Sequence, residues 1–396
     1  MIINHYSVFF LVLLLFFNNT SIGKTTIEFP IGYVSLSDDD GYISRRSYAG
    51  MELQVPRRPL GGVQLALKES RVLGRSLGAK FVMSPISETS SKNLISSIEK
   101  AIKAGTAFFI LDLPLKTLMA VVDQYTDEPV LFYNARHQSD QLRRKFCSGN
   151  LFHTIPSDAM LNDALSQHLK KKQWDKILVL EGPEDRDEEI AISFKISANK
   201  FGLKIVDSRQ FVLSNDPRIR DRHNISLLTA GQAHNVVFVA DQSGEFSRYI
   251  PYQTQKPALV VGAQGLEPAA WHWSWERYGA PQLNQRFEKL NGKKMSDTEF
   301  AGWVAARSII TAVVKTRSFH FSSIYDHIAA ADTKLDLYKG YPGSFRPWNR
   351  QLRQPVLLHT HNAVIASAPV DGFMHQFNDL DTLGLDRLES SCLLGQ

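Results

Sequence analysis

Three tryptophans, Trp271, Trp273 and Trp275, stand within five residues of one another and make up half of the six in the chain. Arg277 follows two residues later. Flat aromatic faces beside fixed guanidinium groups suit a planar anionic ligand, because the rings can stack and the guanidinium pairs with a carboxylate. We therefore predict that Trp271, Trp273 and Arg277 border a ligand site, the alternative being that the indoles pack into the protein interior.

A second combination of cations and indole lies in the stretch Ser344–Leu358. Arg346 and Trp348 stand close together there, and Pro347 and Pro355 make a helix unfavourable. The arginine and the indole could form an anion clamp. They could equally pack on one another in an extended segment, held by cation–aromatic contact. The sequence leaves both interpretations open, and Arg346 and Trp348 are candidate ligand-binding residues.

Polar residues also follow several apolar, strand-like runs. In parallel α/β sheets, ligands bind beyond the carboxyl ends of the strands, where the loops meet. Each such residue on its own is more often a cap or a turn residue, so their shared placement is the informative feature. The ligand-binding candidates chosen by this placement are Arg45, Arg46, Asn134, Arg136, Asp241 and Gln264.

The motifs typical of catalysis or metal binding are weak. Residues 74–78 read GRSLG, which fits G-x-S-x-G, but they follow a helical pattern and precede a strand, whereas a nucleophile elbow needs the reverse order. Residues 38–41 read DDDG and lack the alternating spacing of a calcium loop. His359 and His361 alternate on one predicted strand without an evident third metal ligand. We predict neither an enzyme nor a metal site.

The elements that must position these residues alternate along the chain. Runs such as Phe108–Leu113 and Val130–Tyr133 are apolar on both faces, which is typical of parallel strands covered by helices. Amphipathic helical runs separate them. A second cycle of the same alternation begins near Ser157 and reaches a strand at Ala258–Gly262. The pattern predicts an α/β fold with two doubly wound, Rossmann-like units in tandem.

The N-terminus has the pattern of a secretion signal. Val8–Phe17 is an unbroken apolar run, followed by small polar residues, with Ser21 and Gly23 suitably placed for cleavage. The run is well short of the ~20 residues that a membrane-spanning helix needs. We predict a signal peptide over residues 1–23 and export of the rest, the alternative being an uncleaved anchor or a buried helix.

The cysteine count and the net charge narrow the function. In an exported chain, two cysteines are more often paired than free, so Cys147 and Cys392 are disulfide candidates, the alternative being two unrelated buried thiols. A net charge of +5 is small for 396 residues. It does not indicate nucleic-acid binding, which needs clustered Lys and Arg, and it suits a small anionic ligand.

With these features in view, the organisation of residues 28–368 resembles the type I periplasmic substrate-binding proteins of the branched-chain amino-acid class. Within that class the chain is similar to a subgroup associated with pyrroloquinoline quinone (PQQ)-dependent alcohol dehydrogenase systems. The blocks that carry the similarity are Leu228–Gly231, Val237–Asp241 with Gly244–Phe246, Trp271–Phe287, Phe345–Pro355 and Gly372–Leu385.

The resemblance implies two lobes joined by a multi-strand hinge that the chain crosses about three times. The expected divisions are a first part of lobe 1 at 24–154, a first part of lobe 2 at 155–260, a return to lobe 1 at 261–330, and a hinge segment and tail at 331–396.

It also implies a soluble periplasmic protein without catalytic activity or a required cofactor, which binds a small ligand between its lobes. The expected ligand is PQQ or another planar anionic compound, and the expected partners are an ABC permease and a PQQ-dependent dehydrogenase system. The alternatives are a branched-chain or other amino acid as ligand, or a non-transport sensor or partner of a dehydrogenase.

Overall fold

The computed structural model describes residues 26–46, 50, 52–54, 56–214, 216–392 and 394, and the predicted signal peptide lies outside the described residues. The apolar runs form two separate parallel sheets, each covered by helices on both faces. We call the unit around the five-stranded sheet the first lobe and the unit around the four-stranded sheet the second lobe. Within the described ranges, no helix is both long enough and apolar enough to cross a membrane.

The first lobe is built on strands that are wholly buried at its centre, as continuous apolar runs require. Its strands are β1 Ile27–Leu36, a small hairpin of β2 Arg45–Arg46 and β3 Glu52–Gln54, β4 Ala79–Glu88, β5 Phe108–Asp112, β6 Leu131–Asn134 and β7 Leu151–His153. Its first helices are α1 Leu60–Glu69, α2 Arg71–Leu77, α3 Ser91–Lys103, α4 Leu115–Gln124 and α5 Gln141–Arg144. The parallel sheet has the order β4-β1-β5-β6-β7.

The second lobe repeats the alternation of strand and helix. Its helices are α6 Asp158–Lys171, α7 Asp185–Lys200, α8 Ile225–Leu228 and α9 Ile250–Gln253, and its strands are β8 Lys176–Glu181, β9 Lys204–Gln210, β10 Val236–Ala240 and β11 Leu259–Gly262. The parallel sheet has the order β11-β10-β8-β9. Phe194 of α7 stacks on Phe238 of β10, with ring centroids 3.7 Å apart, so helix and sheet are in close contact.

The chain then returns to the first lobe and passes back through the hinge to the second. These elements are β12 Glu267–Ala269, α10 Ala280–Asn291, α11 Asp297–Thr316, α12 Phe321–Ala329, β13 Ser344–Phe345, β14 Leu352–Arg353, β15 Val356–His359 and β16 Val364–Ala368. Helix α11 begins with a capping box of Ser296 and Glu299 and packs on the first sheet. There Ser308 donates a 2.7 Å hydrogen bond to the Tyr133 hydroxyl of β6.

Three chain segments join the lobes, and hydrogen bonds tie them to one another. The Gln354 amide donates to the Thr154 carbonyl oxygen at 2.8 Å, which links the segment after β7 to the segment before β15. Strand β12 pairs antiparallel with β15, which links the remaining segment. In β15, Leu357 packs in the core of the first lobe while Val356 and Leu358 pack in that of the second. The hinge is therefore a small sheet shared by both cores.

The C-terminal tail packs on the second lobe, where the Gly384 backbone donates to Asp163, and its last described part is attached to the first lobe. Cys147 and Cys392 form a disulfide with a Cα–Cα distance of 5.4 Å, across a sequence separation of 245 residues. Next to it, Ser390 donates a hydrogen bond of 3.1 Å to the Arg143 carbonyl oxygen. The bridge thus joins the end of the chain to the loop that follows β6.

Candidate functional site at the facing strand ends

The carboxyl ends of the two parallel sheets face each other close to the hinge. The Asp140 carboxylate, in the loop after β6, accepts hydrogen bonds from the Ala159 backbone at 3.0 Å and the Ser193 hydroxyl at 2.9 Å. These two residues belong to α6 and α7 of the second lobe. Beside them, Arg186 forms a bidentate ion pair with Asp158, with both distances 2.6 Å. Ligands of α/β folds bind at this edge, so the facing strand ends are the candidate site.

On the first lobe, this edge is organised by Asp112, the last residue of β5. Its side chain has no exposure, and it accepts hydrogen bonds from Tyr33 at 2.8 Å, from Arg58 at 2.8 Å and from the Tyr42 hydroxyl. Arg136 lies 3.5 Å away. A buried carboxylate is costly unless it is paired and hydrogen-bonded, and four donors from four separate elements meet that requirement here.

Asp39 supplies the second carboxylate of the same cluster. Arg136 donates to it at 2.5 and 3.2 Å. Burial alone would raise the pKa of Asp39, but the hydrogen bonds and charge of Arg136 hold that pKa below its ordinary value. Arg58 and Arg136 both lie over the Tyr42 ring, 3.8 and 4.4 Å from its centroid. We call this set the tyrosine–arginine network: Tyr33, Asp39, Tyr42, Arg58, Asp112 and Arg136.

The charges of the tyrosine–arginine network cancel. Two guanidinium groups face two carboxylates, and both phenols stay neutral because burial, reinforced by the negative Asp112, raises the pKa of Tyr33 and of Tyr42. A neutral, internally bonded network is not by itself an anion clamp. The tyrosine–arginine network instead holds the loop after β1 in place over the strand ends.

A cavity of about 390 Å³ lies beside the network on the first lobe. It is lined by Tyr42, Pro56, Arg58, Leu60, Gly61, Gln64, Asn291 and Lys293. Its charged side chains are two cations, and no Asp or Glu among the described residues lines it. The charged groups at its wall are therefore cationic, each paired with a buried carboxylate outside the lining.

A second cavity, of about 220 Å³, lies at the strand ends of the second lobe and has the opposite charge. Four carboxylates and one arginine line it, in the set Glu181, Gly182, Pro183, Glu184, Asp185, Glu188, Gln210, Phe211, Val212 and Arg222. Lys195, which is not one of these lining residues, pairs with Glu181 at 3.3 Å, and Gln210 of the lining donates to the same carboxylate. The two edges thus differ in character, the first lobe offering cations and the second mainly carboxylates.

Two of the predicted strand-end residues serve the loops rather than the cavities. Asn134 is fully buried, and its amide oxygen accepts the backbone N–H groups of Arg136 and His137. Asp241 accepts from the backbone N–H groups of Gly244, Phe246 and Ser247. Short polar side chains at strand ends commonly satisfy loop N–H groups in this way.

Three further predicted residues have simple placements. Gln264 is partly buried in the turn between β11 and β12. Arg45 and Arg46 form β2, which pairs with β3 in the loop after β1. Their side chains lie outside what the structure describes. Gln264 lines neither cavity.

The tryptophan cluster belongs mainly to the core of the first lobe. Trp271 is 2% exposed, donates to the Asn284 amide oxygen at 2.9 Å and stacks on Phe300 at 4.5 Å. Trp273 is 36% exposed and lies 5.4 Å from the Lys294 ammonium group. Arg277 is exposed on the surface, away from both cavities. The expectation that Trp271 faces a ligand is therefore wrong, because burying a large indole in the core stabilises the fold.

Arg346 and Trp348 also lie inside the protein. Arg346 has no exposure; it donates to Asp381 at 2.8 Å and to the Leu383 carbonyl oxygen at 2.6 Å. Trp348 is 9% exposed and donates to the Leu385 carbonyl oxygen at 3.2 Å. The predicted anion clamp binds a carboxylate of the chain itself. Its partners come from the C-terminal segment, which local sequence does not reveal.

Of the predicted ligand-binding residues whose side chains the structure describes, only Arg136 belongs to the tyrosine–arginine network. Sequence reasoning missed Tyr42, Arg58 and Asp112. Asp112 had a signal, since a charged residue directly ending a wholly apolar strand belongs to the same class as Asn134. Arg58 stands in a Pro-Arg-Arg-Pro run without periodicity, and no local pattern marks it.

No protein-family model matches the chain, and no curated protein matches it. Several solved structures are similar to it in fold. A branched-chain amino acid ABC transporter periplasmic ligand-binding protein from Burkholderia xenovorans is 14% identical, with a TM-score of 0.66 over 86% of this chain and 95% of that one.

Two further structures were solved with ligands. An ABC transporter solute-binding protein from R. palustris in complex with benzoate is 13% identical, with a TM-score of 0.63 over 93% of this chain and 100% of that one. A branched-chain amino acid transporter substrate-binding protein from Streptococcus pneumoniae in complex with isoleucine is 14% identical, with a TM-score of 0.61 over 86% and 98%. At such identities the likeness establishes the fold, and the predicted type I periplasmic binding protein fold is confirmed.

Proposed function

We propose that this chain is a periplasmic solute-binding protein that holds a small ligand between its two lobes and passes it to an ABC permease. The observation that carries the proposal is the meeting of two parallel-sheet edges across a three-segment hinge. A ligand that touches both edges favours the closed arrangement by its differential affinity. The structural neighbours are described as binding proteins, which supports a binding role without catalysis.

The ligand we propose is a small organic anion, with PQQ as a specific candidate, and the dehydrogenase that uses PQQ is the proposed physiological context. Support comes from the cationic cavity beside the tyrosine–arginine network, with Arg58 and Lys293 in its wall. The carboxylates of PQQ would suit these groups. Trp271 is not a stacking partner for the ligand, since its ring stacks on Phe300.

An amino acid is the second candidate, and one observation favours it. An amino acid carries a carboxylate and an ammonium group, and the described cavities offer cations on one lobe and mainly carboxylates on the other. Isoleucine in the neighbour from Streptococcus pneumoniae is a ligand of this kind. A non-transport sensor role has no such specific support.

The first experiment is native mass spectrometry of the protein purified from its own cells, since a retained ligand identifies itself by mass. Thermal shifts with PQQ, benzoate and isoleucine follow. A ligand at 100 times its dissociation constant adds about 2.7 kcal/mol to the free energy of unfolding. Small-angle scattering with and without the stabilising compound tests lobe closure. Absence of a retained ligand, of any thermal shift and of any closure would contradict the proposed function.

A further inference from the structure

We propose that the first-lobe cavity is a preformed anion site, in which Arg58 and Lys293 bind a carboxylate or phosphate group of the ligand. This inference deepens the proposed function, because it assigns the chemistry of one half of the ligand contact. It stands on the cavity itself, whose volume of about 390 Å³ falls within the usual range for small-molecule sites, roughly 300–1,000 Å³.

The two cations are held from behind by carboxylates that do not reach the cavity wall. Asp112, without exposure, engages Nη1 of Arg58 at 2.8 Å. Glu299, also without exposure, engages Nζ of Lys293 at 2.5 Å. The cationic side chains are 31% and 40% exposed. Each buried carboxylate therefore fixes the position of its cation, while the cation remains accessible at the cavity.

The rest of the wall provides hydrogen-bonding groups without negative charge. Gln64 and Asn291 line the cavity, and an amide group can donate to an anion, although Nδ2 of Asn291 also donates to the Phe287 carbonyl oxygen at 3.3 Å. Leu60 and Gly61 lie in the first turn of α1, where the helix dipole adds partial positive charge. That end of α1 has no side-chain cap. The helix terminus adds to the two cations and is not the basis of the site.

The wall also indicates which ligands are excluded. A guanidinium group recognises carboxylate and phosphate by paired N–H donors. The Tyr42 ring already has two guanidinium groups over it, so it offers little free face for stacking. The site thus selects for anionic groups rather than for aromatic surface, and a cationic ligand group is disfavoured.

The test uses the full exported chain at low salt. Calorimetric titration measures its affinity for four probes: benzoate, succinate, inorganic phosphate and PQQ. We expect at least one probe to bind. Lys293→Gln removes one cation and Gln64→Glu places a carboxylate on the wall. Each is expected to weaken binding by about 10- to 100-fold, since hydrogen bonds to charged groups are at stake. Gln64→Glu keeps a strong helix former on an exposed position of α1, so folding is preserved.

Lys294→Gln is the matched control. Lys294 is the next residue, 51% exposed, and pairs with Glu288 on the surface rather than lining the cavity. The Lys294→Gln variant should bind the probe with the same affinity as the unaltered protein. Arg58→Gln should also weaken binding, with circular dichroism to check that the loop after β1 keeps its fold. Equal affinities in Lys293→Gln, Gln64→Glu and Lys294→Gln, or no binding of any probe, would overturn the inference.

The inference and the proposed function fail in different ways. Suppose that anions bind, that the two variants bind them more weakly, and that scattering shows no lobe closure. The anion site is then supported and the transport role is contradicted. If a ligand retained from the cells closes the lobes and binds Lys293→Gln and Gln64→Glu as tightly as the unaltered protein, the transport role stands and the anion site is wrong.

Discussion

Single residues at the strand ends of this protein serve mainly to neutralise one another. Asp112 is the clearest case, since one carboxylate without exposure accepts hydrogen bonds from Tyr33, Tyr42 and Arg58. Such a residue fixes a loop and two cations at once. Its effect on binding is therefore indirect, through the position of the groups it holds.

Replacing that carboxylate tests the network. Asp112→Asn leaves Arg58 and Arg136 without their shared counter-charge, and losing one partner of a buried pair costs about 3–5 kcal/mol of unfolding free energy. Urea denaturation measures it. The control is Glu28→Gln, which breaks the surface pair with Lys80, 63% exposed on both sides, and should cost less than about 1 kcal/mol. Equal denaturation midpoints for the two variants would show that the network carries no special stability.

A half-buried carboxyl at the hinge, that of Glu267, gives a pH dependence. Burial raises the pKa of Glu267 to about 7 from its ordinary 4.5. The folded protein holds that proton more tightly than the unfolded chain, so this contribution to stability is full below pH 4.5 and is lost as the pH rises through about 7. Glu267→Gln has no carboxyl to ionise, so this loss of stability at high pH should not occur in the variant. We expect it to be more stable than the unaltered protein by about 3 kcal/mol at pH 8, with no difference at pH 4.

Thermal melts across pH 4–8 measure this effect. The difference between the two melting temperatures should grow with pH. The control is Glu276→Gln, whose side chain is exposed on the surface and whose melting curve should track the unaltered protein at every pH. A constant difference for Glu267→Gln would mean that its carboxyl titrates normally in the folded state.

At the scale of elements, the C-terminal segment is an integral part of the fold. Arg346 and Trp348 donate to the carbonyl oxygens of Leu383 and Leu385, and the disulfide attaches the tail to the first lobe. The residues that the sequence suggested as an anion clamp instead hold this segment. The tail therefore links the segment around Arg346 and Trp348 to the loop after β6. That loop contacts the second lobe through Asp140.

The disulfide is the element that can be removed most cleanly. A double variant, Cys147→Ser with Cys392→Ser, should lower the free energy of unfolding by about 2–4 kcal/mol, because closing a long loop restricts the unfolded chain. Denaturation measures the loss, and limited proteolysis should show earlier cleavage of the tail. A reductant should destabilise the unaltered protein and leave the double variant unchanged. If the reductant affects both proteins equally, the bridge is not the cause.

At the scale of the whole molecule, the hinge determines how the two lobes are joined. Gln354 is fully buried at its centre, where it donates to Thr154 and accepts from the Lys339 ammonium group at 2.8 Å. Burial lowers the pKa of Lys339 well below its ordinary value, so its hydrogen bonds are important for keeping it in place. One amide thus joins two of the three crossing segments.

Gln354→Met should loosen the hinge. It leaves the Thr154 carbonyl oxygen and Lys339 short of partners, at a cost of about 1–3 kcal/mol for each buried group. We expect lower stability and a broader distribution of lobe arrangements in small-angle scattering. The matched control, Gln282→Met, changes an exposed position on α10 and should behave like the unaltered protein. An unchanged scattering profile for Gln354→Met would show that the β12–β15 pairing alone sets the hinge.

The sequence by itself determined the architecture. Strands predicted at Phe108–Leu113 and Ala258–Gly262 appear as Phe108–Asp112 and Leu259–Gly262, because apolar periodicity is a property of neighbouring residues. The tertiary structure alone decided the partners. Asp39 meets Arg136 across 97 residues, and Trp271 turns inward to Phe300. The charge and size of a side chain determine what kind of partner it requires when it is buried. Which distant residue is that partner depends on how the helices and strands pack, and the neighbouring sequence does not reveal it.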